Sequence, residues 1–153
     1  MTPTSSRGTA PRAEPAPHIH RLRVYFEDTD AGGMVYYANY LKFAERARTE
    51  MMRESGSNHR ELGEAFDAAF AVSRCEIDYL KPALLDDLLT VETRVLAVGA
   101  AVVRLDQQVH RGEELLARLR LRIACVSRLG RPTRLPEPVR TALTNVRISK
   151  ELV

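Results

Sequence analysis

Apolar and polar residues change rhythm along this chain, and the changes mark out its elements. From His20 the alternation has period two, with His20, Leu22, Val24 and Phe26 on one face and Arg21, Arg23 and Tyr25 on the other. That pattern predicts a half-buried strand. The rhythm breaks over residues 27–33, an acidic loop ending in two adjacent glycines. A helical period follows: Tyr40, Phe43, Ala44, Ala47 and Met51 form an apolar stripe, and Lys42, Glu45, Arg46 and Arg53 lie mostly away from it. Asn39 suits the N-cap and Gly56 the stop, giving a helix of about four turns.

Period two then returns. Residues 70–80 run up to Lys81-Pro82, where proline ends the segment. Leu89, Val91, Thr93 and Val95 oppose Thr90, Glu92 and Arg94. After Gly99, Ala101, Val103, Leu105 and Val109 alternate with Arg104, Asp106 and Gln108. Leu115, Ala117, Leu119, Leu121, Ile123 and Cys125 oppose Arg118, Arg120 and Arg122. With turn signals at Gly99 and Arg111-Gly112, these runs predict an antiparallel meander. One long helix and about five strands make an α+β domain, the sheet's apolar face laid on the helix.

Composition narrows the setting. At 153 residues the chain suits one domain with a substantial core. Residues 1–18, rich in Pro, Ser, Thr and Ala, read as a disordered leader, and residues 19–153 as the single domain. No stretch approaches the roughly 20 apolar residues of a membrane span, and no secretory core is present, so a cytoplasmic home is the expectation. The net charge of +3 is uneven, with +4 in residues 128–153, +1 in residues 1–18 and −2 between. A solvated basic tail is the simplest account; a phosphate-bearing ligand or an anionic lipid surface is the alternative. Nucleic acid is not indicated, because no basic run is interleaved with aromatics. Cys75 and Cys125 fall in strand-like runs and read as packing thiols, and His18, His20, His59 and His110 have no ligand spacing. No metal site is expected.

The candidate chemistry lies in residues 26–40. Glu27, Asp28 and Asp30 precede Gly32-Gly33 between a strand and a helix start. A carboxylate beside unpaired helix N–H groups can hold water next to donors for a developing oxyanion, which suits hydrolysis of an activated acyl group. Asp30 can equally be an Asx-turn or capping residue, and the loop alone leaves both readings open. Glu27 and Asp28 are expected to shape the turn, and Asp87 to satisfy turn amides. Glu45 is read as solvated or ion-paired, His59 as a surface loop residue and Tyr40 as core. Tyr36 and Tyr37 suit either an acyl pocket or the core. No Gly-x-Ser-x-Gly elbow is present, which argues against a serine hydrolase.

The stretch Glu27-Asp28-Thr29-Asp30-Ala31-Gly32-Gly33-Met34-Val35-Tyr36-Tyr37-Ala38-Asn39-Tyr40 resembles the signature of the 4-hydroxybenzoyl-CoA thioesterase family. Within it, the resemblance is to the acyl-CoA thioesterases associated with the Tol–Pal system. It continues through Glu45-Arg46-Ala47-Arg48-Thr49-Glu50, Tyr79-Leu80-Lys81-Pro82-Ala83, Leu85-Asp86-Asp87 and Arg131-Pro132-Thr133-Arg134-Leu135-Pro136, covering residues 20 to 140 or so. It implies a hotdog fold, an antiparallel sheet of about five strands wrapped on one long central helix. The implied substrate is an acyl-CoA, cleaved to carboxylate and coenzyme A without metal or cofactor, with acyl carrier protein as the other thioester carrier. Homodimers, often paired into homotetramers, carry active sites at the dimer interface.

The resemblance places the catalytic carboxylate on Asp30, as base or nucleophile, and a carbonyl-polarising backbone N–H on Tyr37. Gly33, Met34, Val35, Tyr36 and Tyr37 form the implied oxyanion and substrate-binding set. Tyr37 stands where the Tol–Pal-associated members usually carry histidine, and where the 4-hydroxybenzoyl-CoA enzyme itself has tyrosine. Ala100-Ala101 stand where relatives often have polar or basic residues near the coenzyme A route, so phosphate contacts come from elsewhere, with the basic C-terminal segment as a candidate. A non-catalytic acyl-thioester or acyl-carrier-protein binder, peripheral to the inner membrane, is the alternative function. A hotdog dehydratase is disfavoured, since no histidine lies in the loop signature.

Overall fold

The computed structural model describes residues 16–149. It runs β1 (His18–Arg23), a 3-10 turn (Phe26–Asp28), α1 (Asn39–Glu54), α2 (His59–Phe66), β2 (Ala69–Tyr79), β3 (Leu88–Val98), β4 (Val102–Arg111), β5 (Glu114–Val126) and α3 (Glu137–Ser149). The strands form one antiparallel sheet in the order β1-β3-β4-β5-β2. The consecutive strands β3, β4 and β5 are the meander that the turn signals predict. β1 and β2, which flank α1 in the chain, occupy opposite edges, so the intervening helix lies across the sheet. β1 begins at His18, the last residue of the segment read as leader, and residues 1–15 lie outside the described residues.

The apolar stripe of α1 does what its period requires. Tyr40, Phe43, Ala44, Ala47 and Met51 are all buried, in one core with Leu89, Val91, Val109, Leu116 and Leu119 of the sheet. Truncating a side chain such as Phe43 to alanine there costs about 3–5 kcal/mol. Gly56 closes the helix at φ 94°, a conformation that favours glycine.

Several expectations need correction. Phe26 is not on the buried face of β1: the strand stops at Arg23 and Phe26 opens the 3-10 turn, 83% exposed. Asn39 is not the N-cap of α1. It is the first helical residue, and its side-chain amide donates instead to the Asp28 carbonyl at 2.8 Å, tying the helix start to the loop. A slip of register between Val109 and His110 buries both Leu116 and Ala117, leaving Leu115 half-buried where full burial was expected.

Two helices were not anticipated. α2 buries only Leu62, too little to produce an apolar stripe, and is capped by Asn58 accepting from the Glu61 N–H at 2.9 Å. His59 therefore sits on a helix rather than in a loop. The C-terminal segment is not simply a solvated tail: α3 buries Val139 and Leu143, and Arg140 donates to the Gly99 carbonyl at 2.6 Å.

Candidate active site

The loop between β1 and α1 is folded by its own backbone. The Asp28 carboxylate accepts from the Tyr25 N–H at 2.8 Å, and its carbonyl accepts from the Tyr36 N–H at 3.0 Å. Asp28 is thus the buried turn-shaping acid that its position suggested. Asp30 N–H donates to the Met34 carbonyl at 2.8 Å and Gly33 N–H to the Asp30 carbonyl at 3.1 Å, so residues 30–34 close into a tight turn. Gly33 sits at φ 78°, which that turn needs and a side chain resists. Val35 N–H to the Ala83 carbonyl (2.9 Å) and Leu85 N–H to the Gly33 carbonyl (3.1 Å) seam this loop to the one before β3.

At the tip of the turn the Asp30 carboxylate is exposed. Its Oδ1 accepts from Gly32 N–H at 2.9 Å and Met34 N–H at 3.3 Å, the Asx-turn role that the sequence left open. Its Oδ2 has no partner among the described residues, and no arginine or lysine is paired with it. The turn fixes one oxygen and leaves the other to solvent.

The five amides of the expected oxyanion set divide sharply. The N–H groups of Gly33, Met34, Val35 and Tyr36 all donate within the loop or across its seam. Those of Tyr37 and Ala38 have no acceptor among the described residues, and α1 carries no side-chain cap there. They are orphan donors at a helix start, where the helix dipole adds partial positive charge. The geometry thus separates Tyr37 from the other four.

Sequence reasoning gave Tyr79 no role, although it lies in a segment that carried the family resemblance. Its hydroxyl donates to the Tyr37 carbonyl at 2.9 Å, fixing the peptide that bears the Ala38 N–H. Its ring stands edge-on to Tyr37 and Tyr40, with centroids 6.3 and 5.4 Å away. Burial pushes the Tyr79 phenol above its ordinary pKa, which keeps it a donor. Tyr40 is core, as expected, its hydroxyl accepting from the Ala83 N–H at 3.1 Å. Tyr36 and Tyr37 stand 48% and 62% exposed beside the loop, so they do not fill the core.

Asp87, across the seam, has the turn role expected of it. Its Oδ2 accepts from Leu84 N–H at 2.8 Å and from Arg111 at 2.7 Å. Burial alone raises its pKa, but the Leu84 N–H and the Arg111 guanidinium outweigh that and hold it below the usual carboxylate range. Among the described residues no cluster of histidine, cysteine, aspartate and glutamate can hold a metal ion, and no helix is long and apolar enough to cross a membrane. Cys75 and Cys125 are free thiols, the first half-buried and the second buried.

Comparison with known proteins agrees with this architecture. The family model described as "Thioesterase superfamily" matches residues 32–117. An acyl-CoA thioesterase of Haemophilus influenzae, YbgC, is 43% identical over 128 residues, which cover 82% of this chain and 93% of that protein. The acyl-CoA thioester hydrolase YbgC of Escherichia coli is 39% identical over 120 residues, 77% of this chain and 89% of that one. A probable thioesterase from Bartonella henselae superposes with a TM-score of 0.77 at 38% identity, covering 79% of this chain and all of that one. The hotdog topology, the loop signature and these relatives converge: the chain belongs to the thioesterase superfamily and is a thioester-hydrolysing enzyme.

Proposed function

We propose that the protein hydrolyses acyl-CoA thioesters with Asp30 as the catalytic carboxylate and the Tyr37 and Ala38 N–H groups as the oxyanion donors. The observation that carries this reading is the division of labour in the loop. Among the described residues Asp30 is anchored through Oδ1 and free at Oδ2, while the Tyr37 and Ala38 amides just before α1 have no acceptor. A thioester carbonyl set against those amides gains stabilisation as its oxygen becomes anionic. Asp30 either takes a proton from the attacking water or attacks the carbonyl itself, forming a mixed anhydride that water then cleaves. In both routes the C–S bond breaks and coenzyme A leaves as its thiol. Label found in Asp30 after hydrolysis in ¹⁸O-labelled water establishes the anhydride route, since only water attacking the aspartyl carbonyl of the anhydride leaves its oxygen there.

The site is completed, in this reading, by a second copy of the chain. β2 is an 11-residue edge strand paired only with β5 among the described residues, and Tyr79 and Tyr37 lie exposed at its end. A long open edge is an aggregation hazard unless covered. Pairing two β2 strands across a two-fold axis covers it and sets the exposed tyrosines at the interface; two such dimers make the tetramer. Light scattering on the eluting protein checks this assembly, and a monomeric active enzyme contradicts it.

The proposed setting is cytoplasmic, with coenzyme A or acyl carrier protein as the thiol carrier. Thiol release from a panel of acyl-CoA and acyl-carrier-protein thioesters is the direct test. Turnover of the acyl-CoA members upholds the reading; turnover of the carrier-protein members alone reassigns the carrier. Binding without turnover on the whole panel overturns it in favour of an acyl-binding scaffold.

A further inference from the structure

Beyond that loop, a half-open cavity of about 290 Å³ lies between α1, α2, α3 and the sheet, and no residue of the loop lines it. Its walls are mostly apolar: Met51, Met52, Phe70, Leu105, Ile123 and Leu143. Four polar side chains join them, Glu45, Arg48, Thr49 and His59. Thr49 and His59 satisfy each other, Oγ1 to Nε2 at 3.2 Å. Glu45 is exposed and acts on Arg48 only through its charge, without a hydrogen bond.

Arg48 is the anomaly. It is partly buried, and among the described residues its one hydrogen bond runs from Nη1 to the neutral Gln107 Oε1 at 3.0 Å. Desolvation pulls it below the ordinary arginine pKa, yet arginine stays charged in proteins. Other guanidiniums of the fold are better provided for: Arg111 is paired with Asp87 and Glu114, and Arg118 with Asp106. The acceptor of the Arg48 hydrogen bond is itself held in place. Gln107 is fully buried in the sheet and donates to the Ala44 carbonyl at 3.0 Å and to Thr93 Oγ1 at 2.9 Å. A guanidinium with unspent donors beside an apolar hollow is costly unless an anion joins it.

We propose that this cavity binds a carboxylate at the end of an apolar chain, with Arg48 as the anion-binding side chain. The walls take the chain and the guanidinium takes the head through charge-assisted hydrogen bonds. At roughly 30 Å³ per water-sized group, the cavity holds about ten non-hydrogen atoms, the size of an eight-carbon acid. Resting on the thioesterase reading, two sources supply that chemistry: the free acid that hydrolysis releases, or the far end of an acyl group bearing a second carboxylate. The binding itself does not depend on turnover.

Calorimetry with octanoate and octanol on the full-length chain is the test. Octanoate should bind the wild type at least about tenfold more tightly than octanol, and Arg48→Met should lose at least that factor. Val72 also lines the cavity, and Val72→Phe, which fills it without changing Arg48 or Gln107, should lose octanoate binding too; it serves if Arg48→Met fails to fold. Asp30→Asn should bind octanoate like the wild type, so a failed thioesterase reading and a failed site give different results. Comparing adipoyl-CoA with hexanoyl-CoA then names the source. A preference for adipoyl-CoA that disappears in Arg48→Met places the acyl terminus in the cavity. Octanoate inhibition that disappears with the preference unchanged makes it a site for the free acid. Octanol binding as tight as octanoate, octanoate binding unmoved in either variant, or no octanoate binding at all overturns the proposal.

Discussion

Two aspartates sit in neighbouring loops joined by the same backbone seam, and they are treated in opposite ways. Asp87 directs one carboxylate oxygen to a backbone N–H and a guanidinium at 2.8 and 2.7 Å. Asp30 spends one oxygen on two amides of its own turn and keeps the other free of any described partner. A carboxylate neutralised by arginine has its charge committed, and it holds the turn before β3 to the end of β4. One with no cation paired to it among the described residues keeps an oxygen open to water. Sequence alone gives both as acids in turns; the partners distinguish a fastening from a reagent.

That contrast can be broken or sharpened at four points. The largest effect is expected from Asp30→Asn, which keeps the shape and the Oδ1 hydrogen bonds but loses the base: kcat should fall at least about 100-fold while the melting temperature barely moves. Next comes the Tyr37 amide. Incorporating the α-hydroxy acid analogue of tyrosine at position 37 replaces the N–H by an ester oxygen, and kcat should fall on the order of 100-fold with KM little changed, because an oxyanion donor acts in the transition state.

Asp87→Asn should do the reverse, lowering stability by about 1–2 kcal/mol in urea unfolding while kcat stays within about threefold. Its pH dependence follows from the sign of the shift. Because the folded pKa lies below the unfolded value of about 3.9, the stabilisation is present above that value and fades as pH falls through the folded one. The gap between wild type and Asp87→Asn should therefore close in acid. The smallest effect is expected of Gly33→Ala, where a Cβ meets nothing within 4 Å but φ is 78°. Backbone strain alone should cost about 1 kcal/mol, read as a shift in the urea midpoint.

Much of the fold was legible because its signals were long. The stripe from Tyr40 to Met51 and the alternation of the last three strands each repeat often enough to fix an element and its buried face. Gln107 shows where alternation misleads: it occupies an inward position between Leu105 and Val109, and its polarity makes sense only against Ala44, Thr93 and Arg48, residues 14 to 63 positions away. α2 escaped notice because one buried leucine makes no period. α3 is masked in the sequence although Val139, Leu143 and Val146 are spaced as one helical face, since the arginines around them suggest a solvated tail. At the site, the loop signature singled out Asp30 and Tyr37. Which amides remain free could not be read from it, because that depends on seam bonds to residues 83–85, contributed by a different loop.

The most direct test of the account is to assay Asp30→Asn and Asp87→Asn side by side, for acyl-CoA turnover and for unfolding free energy in urea. The account predicts a crossed result: Asp30→Asn folded as firmly as the wild type but slowed at least about 100-fold, and Asp87→Asn less stable but turning over at nearly the wild-type rate. Asp30→Asn retaining wild-type turnover, with the loss falling on Asp87→Asn instead, would contradict it.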